Sequence, residues 1–310
     1  MRKHSTPITL LVLPALAIAG LASQSITSES ATLGDNFGMI GDGWEGPGQN
    51  AATIYFHIEN SKPTLGQAQR EQFIEALEAW AGVAQINFVE LAVPNQPGSI
   101  DLLWAEPDHC ASEPAECGVP ACTFTGIYAG VLAHAAYPPG VETICGGIST
   151  ESWAGNIHLN LEHGSIKTNP AHAGYQYKLI VAKMVGHALG LQTNPSDFRW
   201  NVMGQIEWNE GFVAISKTDT LQIQEGYAAG IGSVTTLESL GVWVNSNWFG
   251  DERGTPQAPV NTMAEGINGV PDFSDGVVVH VQAGLYPGPI TIDRPCVITS
   301  EFGTALIGQY

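Results

Sequence analysis

A strand–helix–strand order early in the chain restricts the fold more than any other feature of the sequence. Ala52–Ile58 (ATIYFHI) is rich in β-branched and aromatic residues and reads as a strand. Thr64 with Gln67 offers a helix cap, and Phe73, Ile74, Leu77 and Trp80 then fall on one apolar stripe at helical spacing. Ile86, Phe88 and Leu91 roughly alternate with polar residues (QINFVEL), and Ser99–Trp104 (SIDLLW) reads as a further strand. A helix between two strands carries the chain back to the end from which it started, so a crossover in a mixed sheet follows and the class is α+β. A long cysteine-bearing loop separates this unit from two short strands, Val131–Ala135 and Asn156–Leu161 (NIHLNL). Tyr177–Leu191 is the second main helix, with Leu179, Ile180, Met184, His187, Ala188 and Leu191 sharing faces.

Composition removes several classes of partner. The 310 residues carry 11 Lys+Arg against 30 Asp+Glu, a formal charge of −19. Phosphate backbones are held by clustered Lys and Arg, so nucleic acid is excluded. Nor does a basic amphipathic helix exist to meet an anionic membrane surface. Hydrophobic residues at 44% supply enough apolar surface for a folded chain, and the length suits about two domains. Met1 to about Ser23 has the layout of a secretory signal: Arg2 and Lys3, then an apolar stretch from Ile8 to Leu21 broken by Pro14, then cleavage after Ala19 or Ala22. That stretch is shorter than the ~20 residues needed to cross a bilayer, so no membrane span is expected. The expected location is secreted, extracellular or at the cell surface.

Export permits disulfides. Cys110, Cys117, Cys122 and Cys145 lie within 36 residues and lack a C-x2-C pair, which favours two local disulfides over a zinc knot, in any of three pairings. Cys296 stands apart and is expected to be a buried free thiol. From about Ser233 the texture changes to short β runs punctuated by Gly, Pro and Asp: Gly241–Asn245 (GVWVN), Val277–Val281 (VVVHV), Ile290–Ile292, Val297–Thr299 and Ala305–Ile307. Such spacing suits a sandwich or a solenoid of stacked strands.

The helix that ends near Leu191 is the most informative stretch. Gly186-His187-Ala188-Leu189-Gly190-Leu191 resembles the core of the zinc-binding helix of metzincin peptidases of the matrixin group, whose pattern is H-E-x-x-H-x-x-G-x-x-H. In that pattern two His one turn apart and a third beyond the Gly hold zinc, and the Glu is the general base for the metal-bound water. Here Lys183 occupies the first His position, Met184 the Glu position and Thr193 the third His position. Asn201-Val202-Met203-Gly204 is similar to the Met-turn beneath the zinc, with Met203 in the Met position. Gly130-Val131-Leu132-Ala133-His134-Ala135, Gly155-Asn156-Ile157-His158-Leu159-Asn160 and Asp108-His109 resemble segments around the family's structural zinc. Lys217–Tyr227 resembles the closing helix. The similarity spans about residues 45–230.

The resemblance implies a metal site, and the residues argue against the catalytic one. His187 is the single remaining imidazole of three, and His172 lies outside the metal-binding register. A Lys183 ammonium at ~4 Å from a cation, at an effective dielectric of ~20, costs about 4 kcal/mol per unit of charge product. Met184 cannot accept a proton, a loss of roughly 10²–10⁴ in rate. Catalytic Zn2+ is therefore not expected. His109, His134 and His158 match three ligands of the structural zinc, with Ala111 where the family has Asp, and Glu113 or Glu116 as nearby substitutes. One structural Zn2+ is a candidate, against three polar histidines at strand edges. Ca2+ is doubtful, since Asn156 and Asn160 stand where carboxylates would be needed.

The segments Gly241–Asn245, Pro259–Gly266, Val277–Tyr286 and Ile290–Gly308 resemble in texture the opening of a right-handed parallel β-helix. A stack needs about three repeats to bury a continuous core, and one or two rungs fit here. The expected organisation is a signal peptide over 1–22, a polar leader over 23–50, a matrixin-like metallopeptidase domain over 51–232 with a mixed sheet and two main helices, and an incomplete β-helix-like, all-β segment over 233–310. The expected function is that of a secreted matrixin-like pseudopeptidase binding an extended peptide, an extracellular protein or a polysaccharide. The alternatives are an active zinc endopeptidase with unconventional ligands and a surface adhesion or carbohydrate-binding protein acting through its β-helix part.

Overall fold

In the computed structural model of the chain, residues 38–59, 67–106, 131–141, 154–160, 163, 170–194, 202–204, 215–271 and 276–308 are described, without the side chains of 67 and 170–176. The strand–helix–strand order resolves as β1 (Ala52–Ile58), α1 (Gln67–Ala81), β2 (Ile86–Glu90) and β3 (Ser99–Ala105). β4 (Ala133–Ala135), β5 (Ile157–Asn160), α2 (Pro170–Ala188), α3 (Lys217–Gly226) and β6 (Ser233–Thr235) follow. The six strands make one sheet in the order β4-β5-β3-β1-β2-β6, parallel throughout except for the antiparallel β4–β5 pair. The mixed sheet of an α+β class is therefore present.

Period-two burial selects the face that meets the helices. Ala52, Ile54, Phe56 and Ile58 of β1, Ile86 and Phe88 of β2, and Ile157 and Leu159 of β5 are buried against Phe73, Leu77 and Trp80 of α1 and Ile180, Val181 and Val185 of α2. Each Val, Leu, Ile or Phe side chain among them contributes about 1.5–3 kcal/mol of transfer free energy. Ile74, on the margin of the stripe, is only partly buried. Phe56 meets Phe73 edge-on, and the Trp80 indole N–H donates to the Ala182 carbonyl at 2.8 Å, which joins α1 to α2. α2 begins at Pro170, two turns before its apolar periodicity starts at Tyr177. Pro is well suited to a first helical turn, and the residues after it (AHAGYQ) carry no apolar stripe to read.

Beyond β6 lie α4 (Leu237–Leu240), β7 (Val242–Val244), α5 (Met263–Asn268), β8 (Val277–Pro287) and β9 (Cys296–Gly308). The last three strands form a parallel sheet, β7-β8-β9, whose inner valines at 242, 244, 277, 279 and 281 pack with Met263 and Ile267 of α5. Four expectations change here. Ile290–Ile292 forms no strand, and the two short runs at 297–299 and 305–307 belong to one strand, β9, that bends opposite a register shift at Gln282/Gly284. Cys296 is a free thiol but is half-buried rather than buried. Ser233–Thr235 pairs with β2 at the edge of the first sheet, not with the second.

The polar leader is also more than a tether: Met39 bridges Leu191, and the Trp44 indole donates to the Ala188 carbonyl at 2.9 Å. The signal-like segment and Cys110, Cys117, Cys122 and Cys145 lie outside the described residues. Among the described residues no helix is long and apolar enough to cross a membrane.

The two cores meet around β2. Ala92 joins the second cluster, packed so tightly that a Cβ on Gly254 would collide with it and one on Gly269 would stand 2.6 Å away. Beside it the Arg70 guanidinium grips Glu90 in bidentate fashion at 2.5 and 2.7 Å and Glu238 of α4 at 2.8 and 3.0 Å, while Glu90 also accepts the Leu237 amide. Burial works to lower the Arg70 pKa, but the two carboxylates, Glu90 foremost, more than offset it, so the group stays charged. Arg70 and Glu90 are 3% and 2% exposed, whereas Glu238 is 36% exposed. Arg70→Leu, which strands a buried carboxylate, is expected to cost about 3–5 kcal/mol. Glu238→Gln is expected to cost about 1 kcal/mol or less. Urea midpoints of the two variants check this, and equal losses would contradict the division into an inner and an outer partner.

Candidate functional site

The end of α2 builds the site. Gly190, at φ +105°, lets the helix finish in a Schellman turn, with the Leu191 amide donating to Gly186 and the Gly190 amide to His187, both at 2.9 Å. The turn folds the chain back onto His187. Its Nδ1 lies 2.7 Å from the Leu191 carbonyl and so carries the proton, which leaves Nε2 as the acceptor for the Thr193 hydroxyl at 3.3 Å. Tyr137, just after β4, meets the His187 ring edge-on at 6.1 Å between centroids. Burial above all, with repulsion from Lys183 adding to it, pushes the His187 pKa down to about 4, against the opposing pull of the Leu191 carbonyl. His187 and Thr193, two of the residues singled out in the sequence, are thus brought together, with the imidazole lone pair engaged by a hydroxyl.

The other two positions of the motif point elsewhere. Lys183 is 8% exposed and donates from Nζ to the Gly204 carbonyl at 2.6 Å, tying α2 to the turn at 202–204. Met184 is 7% exposed and packs in the main core. Met203 is fully buried under α2, where a Cβ on Gly186 would collide with its sulfur and stand 2.9 Å from the Trp80 ring. Asp219 of α3 fixes the same turn: its Oδ2 accepts the Val202 amide at 3.0 Å and closes a capping box with Ser216. Burial raises the Asp219 carboxyl pKa, against its backbone and hydroxyl donors. The Ser216-x-x-Asp219 spacing carried this signal, but the carbonyl that receives Lys183 has no sequence signature.

His134 and His158 face each other across the β4–β5 pair, with His134 Nε2 3.0 Å from His158 Nδ1 and ring centroids 4.9 Å apart. Their predicted third partner, His109, lies outside the described residues, as do Ala111, Glu113 and Glu116. His172 stands in the opening turns of α2, its side chain undescribed. The Asn156 side-chain oxygen accepts the Asp101 amide at 3.1 Å, and the Asn160 amide donates to the Val131 carbonyl at 2.9 Å, so both serve the β-strand framework. Among the described residues no group of three or more His, Cys, Asp or Glu side chains is placed to hold a metal ion.

This arrangement, a mixed sheet with a short antiparallel edge strand, two helices on one face, and a His-bearing helix resting on a buried methionine turn, is that of a metallopeptidase-like domain. The Matrixin model of the M10 peptidases matches residues 48–228, more than half of the chain, and the chain belongs to the matrixin family. Comparison with curated proteins gives no match.

Two outcomes test the geometry. Gly186→Ala should destabilise the protein by about 1–3 kcal/mol through overpacking against Met203 and Trp80, read as a lowered urea midpoint. His187 titrates at about 4 in the folded chain against an ordinary 6.5, so the unfolded chain takes up the proton first on acidification. Stability from this site is complete above about pH 6.5 and is lost as the pH falls toward 4. His187→Gln should therefore show a shallower fall in urea midpoint between pH 7 and pH 4.5 than the parent.

Proposed function

We propose that the chain is an exported matrixin-fold pseudopeptidase that keeps the cleft between β4 and α2 and has given up catalysis. The single observation that carries this reading is the state of His187, whose Nε2 is occupied by the Thr193 hydroxyl while a lysine, drawn away to Gly204, replaces the partner one turn before it. A catalytic zinc does not fit this donor set. Thr193 offers a neutral hydroxyl, Lys183 a repelling cation and Met184 no basic group, so no hydrolytic step is assigned.

The cleft itself supports peptide binding. Among the described residues β4 is an edge strand of the sheet and its residues are half-buried, so an extended chain can add beside it through main-chain hydrogen bonds. His134 and His158 suit a structural zinc better than the helix suits a catalytic one. Their facing nitrogens, 3.0 Å apart, come close to the ~3.3 Å between two nitrogen ligands on a tetrahedral ion. With His109 they would hold that ion, whose contribution is to pin β4 against β5. The Arg2–Lys3 start and the apolar run to Leu21 support export. The parallel β7-β8-β9 sheet, with its shared bend, supports a β-helix-like reading of residues 233–310.

The test is elemental analysis of purified protein together with casein hydrolysis in the presence and absence of a chelator. The pseudopeptidase reading expects no turnover above background and at most one zinc, abolished by His134→Ala. Chelator-sensitive turnover would sink it in favour of an active endopeptidase. A Lys183→His, Met184→Glu, Thr193→His triple variant is expected to gain one further zinc, and no gain would count against the placement of the motif.

A further inference from the structure

Beneath the turn at 202–204 two buried charges have few partners among the described residues. Lys183 carries three ammonium N–H groups, and the Gly204 carbonyl takes one of them. Asp219 is wholly buried; its Oδ2 receives the Val202 amide, the Ser216 amide and the Ser216 hydroxyl, and the Met203 amide lies near the same carboxyl, yet among the described residues its Oδ1 meets no donor in hydrogen-bond geometry. Among the described residues Lys183 and Asp219 make no direct ion pair, yet they lie close enough for the carboxylate to oppose the burial-driven fall of the Lys183 pKa. A buried carboxylate oxygen without a donor is expensive, and native proteins resolve such atoms with ordered water.

The chemistry of the space selects its occupant. A metal cation is repelled by the ammonium and an anion by the carboxylate. A neutral molecule that can accept from Lys183 and donate to Asp219 meets both needs, and water is the smallest that does so. We propose that a buried water molecule bridges Lys183 Nζ to Asp219 Oδ1, closing a metal-free tie that holds α2, the 202–204 turn and α3 together. Lys183 thus acts as a positioning residue for the cleft floor. The tie depends on where Lys183 points and not on the absence of catalysis, so chelator-sensitive turnover would overturn the pseudopeptidase reading while leaving the bridge to be judged by its own measurements.

A double-mutant cycle on the full chain tests it, with Lys183→Met, Asp219→Asn and the double variant compared by urea unfolding. The unfolding constant of the double variant should fall at least 10-fold short of the product expected from the two single effects. Effects that multiply to within 2-fold would overturn the bridge. Should Asp219→Asn fail to fold, a high-resolution crystal structure of the parent chain decides. Water within hydrogen-bond distance of both Lys183 Nζ and Asp219 Oδ1 supports the proposal, and its absence, or a direct Lys183–Asp219 contact, overturns it. An ammonium resonance of Lys183 protected from exchange in lysine-selective ¹H–¹⁵N spectra is expected from the same geometry, and an unprotected signal would overturn it.

Discussion

Gly186 has no side chain, and the space this leaves is filled by the Met203 sulfur and the edge of the Trp80 indole. The position of α2 depends on that contact. Trp80 brings α1 along through its hydrogen bond to Ala182, and Met203 brings the turn that Asp219 fixes to α3. The carbonyls at the end of α2, which a helix always leaves without internal partners, are all taken. Leu189, Gly190 and Leu191 donate to Val185, His187 and Gly186, Trp44 donates to Ala188, and Tyr227 reaches Leu189. The end of α2 is thus held by packing and by hydrogen bonds from four separate parts of the chain.

Through that economy the end of α2 holds its place with Lys183, Met184 and Thr193 upon it. The Schellman turn after the helix and the contact of Gly186 with Met203 are made by other groups than the side chains at 183, 184 and 193. Each now serves another purpose: a tie to Gly204, a place in the core and a cap on His187.

Most of the framework was legible because it follows simple periods. β2 alternates, β1 is rich in β-branched and aromatic residues, and the Phe73–Leu77–Trp80 stripe of α1 repeats with the helical turn. What was hidden had no period to display. The first two turns of α2 carry no apolar stripe, β6 is a three-residue strand, and β9 looks like two strands because its bend interrupts the pattern. In the site, the pairing of His187 with Thr193 across six residues exists only because Gly190 reverses the chain, so the motif spacing alone could show which ligands were missing but not what replaced them. The Arg70–Glu90 pair was equally silent, since its members are twenty residues apart and nothing in composition distinguishes a buried arginine from a solvated one.

The junction between the two cores has an uneven construction. Glu90 holds Arg70 in a dry interior where salt hardly reaches, while Glu238 holds the same guanidinium from the half-exposed side, within range of counterions. The two grips therefore answer to different variables. Ionic strength weakens the outer one first, and the guanidinium remains neutralised when that happens. The C-terminal sheet is fastened to the matrixin domain by a joint whose outer half can be loosened by the medium while its inner half stays closed.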